Sequence, residues 1–171
     1  MFETEPATVR WEPNVFLMGV TQSMMPGNAI DVGMGSGRNA IFLARLGWMV
    51  TGIDTSRVGV ARARERAGAE KLSLNAGQQD MFQFDYGVER YDLVLFMYMG
   101  PVRDLDRRLV EALRPGGYLV IEHFAGAFEP GSLPMLFRGL DVLQYTEVDD
   151  FPDYDQRNKQ KVVRFLGRKR R

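Results

Sequence analysis

The chain has 171 residues, of which 45% are apolar and 26% charged, and 22 basic and 22 acidic side chains give it a formal net charge of zero. This length suits one domain with a hydrophobic core, and the charge balance argues against a nucleic-acid binder, because such proteins usually carry a basic excess. With no cysteine and a single histidine, the composition excludes disulfides, thiolate zinc sites, cysteine nucleophiles and histidine metal clusters.

The start of the chain and its hydropathy bear on location and domain organisation. The first five residues are acidic rather than basic, and no apolar run approaches the ~20 residues of a membrane span. We therefore predict a cytoplasmic protein that makes no membrane contact. We also predict a single domain over residues 1–171, in which residues 1–26 form a helical cap or lid and residues 27–171 form the core.

Short apolar runs alternate with helix-like segments along most of the chain, and glycine, proline or serine marks many of their boundaries. In chain order, this pattern predicts a strand at 29–32, a helix at 38–46, a strand at 48–53, a helix at 56–67, strands at 71–75 and 91–97, a helix at 102–113 and a strand at 118–123. Strands separated by helices form right-handed βαβ units. The sequence thus predicts a doubly wound, Rossmann-like α/β fold.

The end of the chain has a different pattern. Residues 140–148 and 161–168 are two strand-like runs with no helix between them, and an acidic, aromatic loop at 149–158 joins them. We predict an antiparallel hairpin that closes the sheet. Three loop residues, Asp153, Tyr154 and Asp155, are expected to reach the mouth of a site at the sheet edge.

A glycine-rich loop follows the first predicted strand. Gly33, Gly35 and Gly37 stand between that strand and the next helix. Glycine allows the backbone to turn tightly and lets a ligand approach the main chain closely. The following helix offers free N–H groups that suit a phosphate or a carboxylate. The three glycines alone are compatible with any nucleotide.

The residues around this loop narrow the choice of ligand. Arg38 stands where a dinucleotide GxGxxG motif has Gly or Ala. Asp31, two positions before the first glycine, would repel a pyrophosphate and attract the cationic part of a zwitterion. Asp54 ends the second strand, where a carboxylate can accept both hydroxyls of a ribose. The alternatives are that Asp31 is a satisfied buried carboxylate and that Asp54 caps the next helix.

These motifs resemble a known family. Residues 29–56, AIDVGMGSGRNAIFLARLGWMVTGIDTS, are similar to motifs I and II of the class I S-adenosylmethionine-dependent methyltransferases, especially the small type 11, type 25 and TehB-like group. Residues 79–81, 91–94 and 113–119 resemble later motifs of that family, and the closing hairpin also matches. The resemblance covers roughly residues 14 to 168 and is unspecific for the substrate.

The resemblance implies a sheet order of 3-2-1-4-5-7-6 with strand 7 antiparallel, and S-adenosyl-L-methionine as cofactor with S-adenosyl-L-homocysteine as product. It also implies that Asp80 contacts the adenine amino group and that the backbone N–H of Met81 meets a ring nitrogen. The full predicted cofactor-binding set consists of Asp31, Gly33, Gly35, Gly37, Asn39, Asp54, Thr55, Asp80, Met81 and Met97.

The methyl acceptor is expected at the carboxyl ends of the strands, where ligands bind in open α/β sheets. Residues 97–100 would lie beneath the reacting methyl group, and Trp11, Asn14 and Phe16 would form a lid. We predict His123 and Tyr98 as catalytic residues. His123, with an unperturbed pKa of roughly 6.5, is the best candidate for a general base. The alternatives are that His123 only packs or hydrogen-bonds and that Tyr98 belongs to the core.

The segment FMYMGP, at the end of the fourth predicted strand and just after it, lacks the [DN]PP[YF] sequence. Enzymes that methylate amino groups of nucleic acids use that sequence to hold a flipped base. We therefore predict a small-molecule acceptor and no nucleic-acid partner, leaving open a metalloid oxyanion and whether the protein is a monomer or a homodimer. Two other functions remain as alternatives. One is an NAD-dependent oxidoreductase domain, and the other is a non-catalytic S-adenosylmethionine-binding partner subunit.

Overall fold

A seven-stranded sheet forms the centre of the protein. The computed structural model describes residues 11–171 apart from residues 101, 103 and 154, so Tyr154 and the first ten residues of the predicted cap lie outside the described residues. The strands are β1 Asn28–Val32, β2 Met49–Asp54, β3 Leu74–Gln78, β4 Tyr91–Met97, β5 Leu113–Phe124, β6 Leu140–Asp150 and β7 Gln160–Lys169. The helices are α1 Val15–Thr21, α2 Arg38–Arg45, α3 Arg57–Ala69, α4 Asp106–Ala112 and α5 Ser132–Leu136.

The strand order is β3-β2-β1-β4-β5-β7-β6, as the resemblance implies. The first five strands are parallel, whereas β7 pairs antiparallel with both β5 and β6. The chain order reverses its direction at the junction of β1 and β4, and such a switch point opens a crevice at the carboxyl ends of the strands. The predicted fold class and sheet order are therefore confirmed.

Each face of the sheet carries its own hydrophobic core. On one face, α1, α2 and α3 bury Leu17, Leu43 and Val60 against the sheet. On the other face, α4 and α5 bury Leu109 and Leu133. Burial of apolar area on both faces explains why the central strands read as continuous apolar runs, since parallel strands are covered on both sides.

The structure departs from the sequence prediction at two strand boundaries. β3 begins at Leu74 rather than residue 71, because Lys71 has a left-handed backbone and the N–H of Leu72 still bonds to the Ala67 carbonyl at the end of α3. β5 begins at Leu113 rather than residue 118: Leu113 pairs with Tyr91, and residues 114–117 form an irregular stretch before Tyr118 pairs with Leu93. The short helix α5 was not predicted.

Helix α1 lies within the predicted cap, and Asn14 is its N-cap. The Asn14 side chain accepts the N–H of Leu17 at 2.8 Å, which satisfies one of the free donors at the helix start. The same side chain contacts Glu122 near the end of β5, so the start of α1 lies over the carboxyl edge of the sheet. No helix within the described ranges is long and apolar enough to cross a membrane.

Candidate functional site

The glycine loop turns sharply between β1 and α2. Gly33, Gly35 and Gly37 all have left-handed backbones, with φ of 74°, 55° and 83°, which side-chain-bearing residues rarely adopt. A Cβ on Gly33 would lie 1.9 Å from the Met99 sulfur, whereas a Cβ on Gly35 would have open space around it. The loop therefore presents bare backbone to a ligand at Gly35.

Asp31 is a buried carboxylate at this loop. Its side chain is 1% exposed, and its Oδ2 has no hydrogen-bond partner among the described residues. Burial raises the pKa of Asp31 to about 7, while attraction to the Arg38 guanidinium and a hydrogen bond from the Ala40 backbone lower it. A buried carboxylate oxygen without a donor is costly. A ligand ammonium at this position would supply the missing donor and the opposite charge.

Asp54 follows the second strand and holds the loop in place. Its Oδ2 accepts the Gly35 N–H at 2.8 Å, and its Oδ1 accepts the Ser56 N–H at 2.7 Å. The N-cap of α3 is Ser56, whose hydroxyl accepts the Gly59 N–H at 3.1 Å, so the alternative that Asp54 caps this helix is wrong. Asp54 supports the turn before α3 and lines a cavity. A carboxylate has about four lone-pair sites, so two remain for further hydrogen bonds.

A cavity of about 200 Å³ lies beside Asp54. Its walls come from the loops after β1, β2, β3 and β4, and they consist of Gly33, Ile53, Asp54, Thr55, Gln79, Asp80, Met81, Phe82 and Met99. Five predicted cofactor residues thus line one cavity. Asp80 also accepts the Phe82 N–H at 2.7 Å, which shapes the turn after β3. This nucleoside cavity has the polar and apolar walls that a ribose and an adenine require.

Two of the predicted cofactor residues, Asn39 and Met97, belong neither to the glycine loop nor to the lining of this cavity. The side-chain oxygen of Asn39 accepts the backbone N–H of Asn14 at 2.9 Å, so this side chain attaches the cap to the first turn of α2. Met97 is 6% exposed and packs in the core on the α2 side. The contact of these two residues with the cofactor stays a prediction.

Tyr98 has a well-defined position after β4. Its backbone is left-handed, with φ of 52°, and its N–H bonds to the Glu122 carbonyl. Its hydroxyl donates to Glu122 Oε1 at 2.8 Å. Burial, and then the charge and hydrogen bond of Glu122, raise the pKa of Tyr98 above its usual value. The phenol therefore keeps its proton, which suits a wall or hydrogen-bond donor rather than a base.

His123 lies in an aromatic cluster at the end of β5. Its ring centroid is 5.5–5.9 Å from those of Tyr98, Phe124 and Phe128. Burial lowers the pKa of His123, although backbone groups of Met99 and Phe124 partly oppose this effect. Its Nδ1 is buried and has no hydrogen-bond partner among the described residues. A neutral imidazole with a free nitrogen can accept a proton.

The sequence analysis missed a buried polar network next to these residues. Glu122, 2% exposed, accepts Asn14 Nδ2 at 2.8 Å and Arg164 Nε at 2.7 Å. Asn14 Nδ2 also donates to Asp153, and Arg38 Nη2 donates to the same carboxylate at 2.7 Å. The network joins the cap, the first turn of α2, β5 and the β6–β7 loop. Sequence analysis placed Asn14 and Asp153 near the mouth of the site but did not pair them, and the unused signal was Glu122, a charged residue near the end of a mostly apolar strand.

A model of the methyltransferase domain family matches residues 29–117. The haemagglutinin 1 of Eikenella corrodens is 31% identical over 123 residues, which are 68% of this chain and 41% of that protein. The Haemophilus influenzae protein named "Probable S-adenosyl-L-methionine-dependent methyltransferase TehB" is 25% identical over 167 residues, 85% of this chain and 58% of that protein. The chain thus spans about two to three fifths of these relatives.

Solved structures share the fold at lower sequence identity. The crystal structure of TehB from Haemophilus influenzae superposes with a TM-score of 0.77 at 22% identity, covering 91% of this chain and 62% of that one. The [4+2]-cyclase SpnF superposes with a TM-score of 0.75 at 19% identity, covering 91% and 80%. At these identities the likeness concerns the fold alone, and the SpnF structure shows that a protein named for a different reaction has it.

Proposed function

Because the chain belongs to the class I S-adenosylmethionine-dependent methyltransferases, in the type 25 and TehB-like group, we propose that it transfers a methyl group from S-adenosyl-L-methionine to a small-molecule acceptor. Family membership implies this cofactor. The observation that carries the proposal is Asp31, whose buried Oδ2 has no hydrogen-bond donor within the described part of the chain and lies beside a glycine loop of open backbone. A zwitterion with an ammonium group fits this carboxylate better than a pyrophosphate does, since two anions would repel each other.

The side chains around the loop suit the separate parts of this cofactor. Asp31 suits the ammonium of the methionine moiety, and the N-terminal end of α2 suits its carboxylate. Asp54 and Asp80 line the nucleoside cavity, where their carboxylates suit the ribose hydroxyls and the adenine amino group. When bound, S-adenosylmethionine supplies an activated methyl group on a positively charged sulfur.

The protein's own task is then to align the acceptor and exclude water. We assign Tyr98 to the wall of the acceptor site, because its hydroxyl is held by Glu122. We assign His123 to proton removal from an acceptor that arrives protonated, because its lowered pKa keeps the imidazole neutral near pH 7. The acceptor's lone pair forms the new bond to carbon, the carbon–sulfur pair stays on sulfur, and the acceptor's proton goes to His123.

Calorimetric titration with S-adenosylhomocysteine and with NAD tests the cofactor. We expect the first to bind and the second not to bind. Binding of NAD without S-adenosylhomocysteine would favour the oxidoreductase alternative and overturn the proposal. A screen of phenols, thiols, amines and metalloid oxyanions, read as S-adenosylhomocysteine release, then tests turnover. Cofactor binding with no turnover across that screen would instead indicate a non-catalytic subunit.

Asp54→Ala should weaken S-adenosylhomocysteine binding by about 1.5–3 kcal/mol, the usual cost of losing hydrogen bonds to a charged group. The matched control is Asp85→Ala. Asp85 is an exposed carboxylate that, like Asp54, accepts the N–H two residues later in the chain, from Gly87. The control should bind normally. Equal affinity of the two variants, measured by calorimetry, would remove Asp54 from the ribose role.

Protonation of His123 should determine the fall of kcat on the acid side of its pH profile. Because burial lowers its pKa, the base form persists below the ordinary value of roughly 6.5. We expect kcat at saturating cofactor to fall only below that pH, and we expect this limb to disappear in His123→Gln, with cofactor affinity unchanged. A wild-type limb above pH 7, or an identical limb in the variant, would show that His123 is not the base.

A further inference from the structure

A second cavity, of about 290 Å³, lies on the α1 side of the sheet, over β5, β7 and β6. Its walls come from the cap, these strands and the β6–β7 loop, and consist of Val15, Phe16, Glu122, Gln144, Asp150, Phe151, Asp153, Gln156 and Arg164. We call it the carboxylate cavity. It shares none of its lining residues with the nucleoside cavity, which lies over the opposite half of the sheet.

The carboxylate cavity adjoins the glycine loop through the polar network. Asp153 in its wall is bonded to Arg38, the residue directly after the loop. Glu122 in its wall is bonded to Tyr98, which follows β4 at the switch point of the sheet. A molecule in this cavity would therefore lie beyond the carboxyl ends of the strands, next to the methionine end of the cofactor site.

The charges lining this cavity are unequal. Three carboxylates face it, and the guanidinium of Arg164 is divided between two of them, with Nε donating to Glu122 and Nη2 to Asp150. The third carboxylate, on Asp153, is paired with Arg38 at 2.7 Å. Two guanidiniums thus pair with three carboxylates, two of which are almost fully buried, and the exposed ammonium of Lys159 acts on the third, Asp150, from outside the cavity lining. The cavity would be stabilised by a further positive charge.

The aromatic wall points to the same kind of ligand. Phe151 lines the cavity, and the ammonium of Lys159 lies 5.4 Å from the centre of its ring. The face of an aromatic ring attracts cations. Lys159 is exposed. Hydrogen bonds from Arg164 and from the Phe151 backbone lower the pKa of Asp150 most, and the charge of Lys159 lowers it further. The chain's own ammonium thus lies near the Phe151 ring and acts electrostatically on Asp150, as the amine of a ligand would.

We propose that the carboxylate cavity binds a protonated amine of the methyl acceptor, between Asp150 and the ring of Phe151. This inference rests on the proposed methyltransferase function and adds the chemical class of its substrate. Anionic acceptors fit this cavity less well. An anionic acceptor would face three carboxylates, because two nitrogens of Arg164 are already engaged. No group of three potential metal-ligating residues in the described part of the chain is arranged to hold a metal ion.

The test uses sets of three molecules of similar size whose end group is an ammonium, a hydroxyl or a carboxylate: tyramine with tyrosol and 4-hydroxyphenylacetate, and 1-aminohexane with 1-hexanol and hexanoate. Each is titrated by calorimetry into the full chain saturated with S-adenosylhomocysteine. We expect at least one amine to bind about tenfold more tightly than both of its counterparts. If no amine does so, the inference is overturned. Because S-adenosylhomocysteine binding is measured first, that result would leave the proposed function standing.

One variant and its matched control test whether the amine that binds best lies beside Asp150. Asp150→Asn should weaken it about tenfold while changing the affinity for its alcohol counterpart less than twofold. Asp149→Asn is the matched control, because Asp149 is the neighbouring residue of β6, is exposed and does not line the cavity. Equal losses in the two variants would contradict the assignment.

Lys159→Gln removes the ammonium that competes for Asp150 and Phe151. We expect this variant to bind the same amine about threefold more tightly, a gain that partial misfolding does not produce. An unchanged or weaker affinity would place the amine elsewhere and overturn the inference.

Discussion

Replacing Asp31 with asparagine should stabilise the free protein at pH 8 and at the same time remove most of its affinity for S-adenosylhomocysteine. In the folded protein, burial raises the pKa of Asp31 to about 7, whereas in the unfolded chain an aspartate has a pKa of about 3.9. Above pH 7 the folded state therefore contains a buried, ionised carboxylate whose Oδ2 has no donor among the residues that the structure describes. A shift of this size corresponds to about 4 kcal/mol.

The sign of the pH dependence follows from linkage. Because the folded pKa is the higher one, folding takes up a proton between about pH 4 and pH 7. The contribution of Asp31 to stability is thus fully present below pH 4 and is lost as the pH rises through 7. An asparagine stays neutral at every pH but leaves a buried amide group unpaired, at a cost of about 1–3 kcal/mol. We expect a net gain of about 2 kcal/mol at pH 8, and a net loss of about 1–2 kcal/mol at pH 4, where only the cost of the unpaired amide remains.

The affinity should change in the opposite direction. Only the ionised form of Asp31 attracts an ammonium group, so S-adenosylhomocysteine should bind the wild-type protein more tightly at pH 8 than at pH 6. Asp31→Asn should lose about 100-fold at pH 8, or ~3 kcal/mol, and should lose this pH dependence. Urea unfolding and calorimetry measure the two effects, with Asp141→Asn, an exposed carboxylate on β6, as control. Unchanged stability together with unchanged affinity would mean that Asp31 is only a satisfied core group.

The parts of this protein that could be predicted are those encoded over short distances along the chain. Apolar runs separated by glycine loops specify the parallel strands, and the lack of a helix between the last two runs specifies the hairpin. Four of the residues that line the nucleoside cavity, Gly33, Asp54, Asp80 and Met81, each follow a strand directly or nearly so. In a parallel sheet such positions meet at one edge, so local patterns are sufficient to group them.

The network at the acceptor side could not be predicted in this way. Asn14 is separated by 108 residues from Glu122 and by 139 from Asp153, and no pattern along the chain connects them. Arg38 served in the sequence only as evidence against a dinucleotide motif, but in the structure it forms an ion pair with Asp153. The left-handed backbone of Tyr98 is equally a product of tertiary contacts, since tyrosine does not favour it.

This network makes Asn14→Asp the most damaging substitution that we expect in the cap. Asn14 is fully buried, and its Nδ2 donates to both Glu122 and Asp153. An aspartate has the same shape and can still accept the Leu17 N–H that begins α1, but it would present an oxygen and a negative charge to two carboxylates. Leaving a buried charge uncompensated costs about 3–5 kcal/mol.

Because α1 has only seven residues, we expect it to detach locally before the sheet unfolds. Hydrogen exchange should therefore show loss of protection at residues 14–21 in Asn14→Asp while the strands stay protected, and acceptor turnover should fall with cofactor affinity nearly unchanged. Asn75→Asp is the control, since this asparagine is exposed on the edge strand β3. Full protection of α1 in the Asn14 variant would mean that apolar packing of Leu17 and its neighbours, rather than the polar network, holds the cap on the sheet.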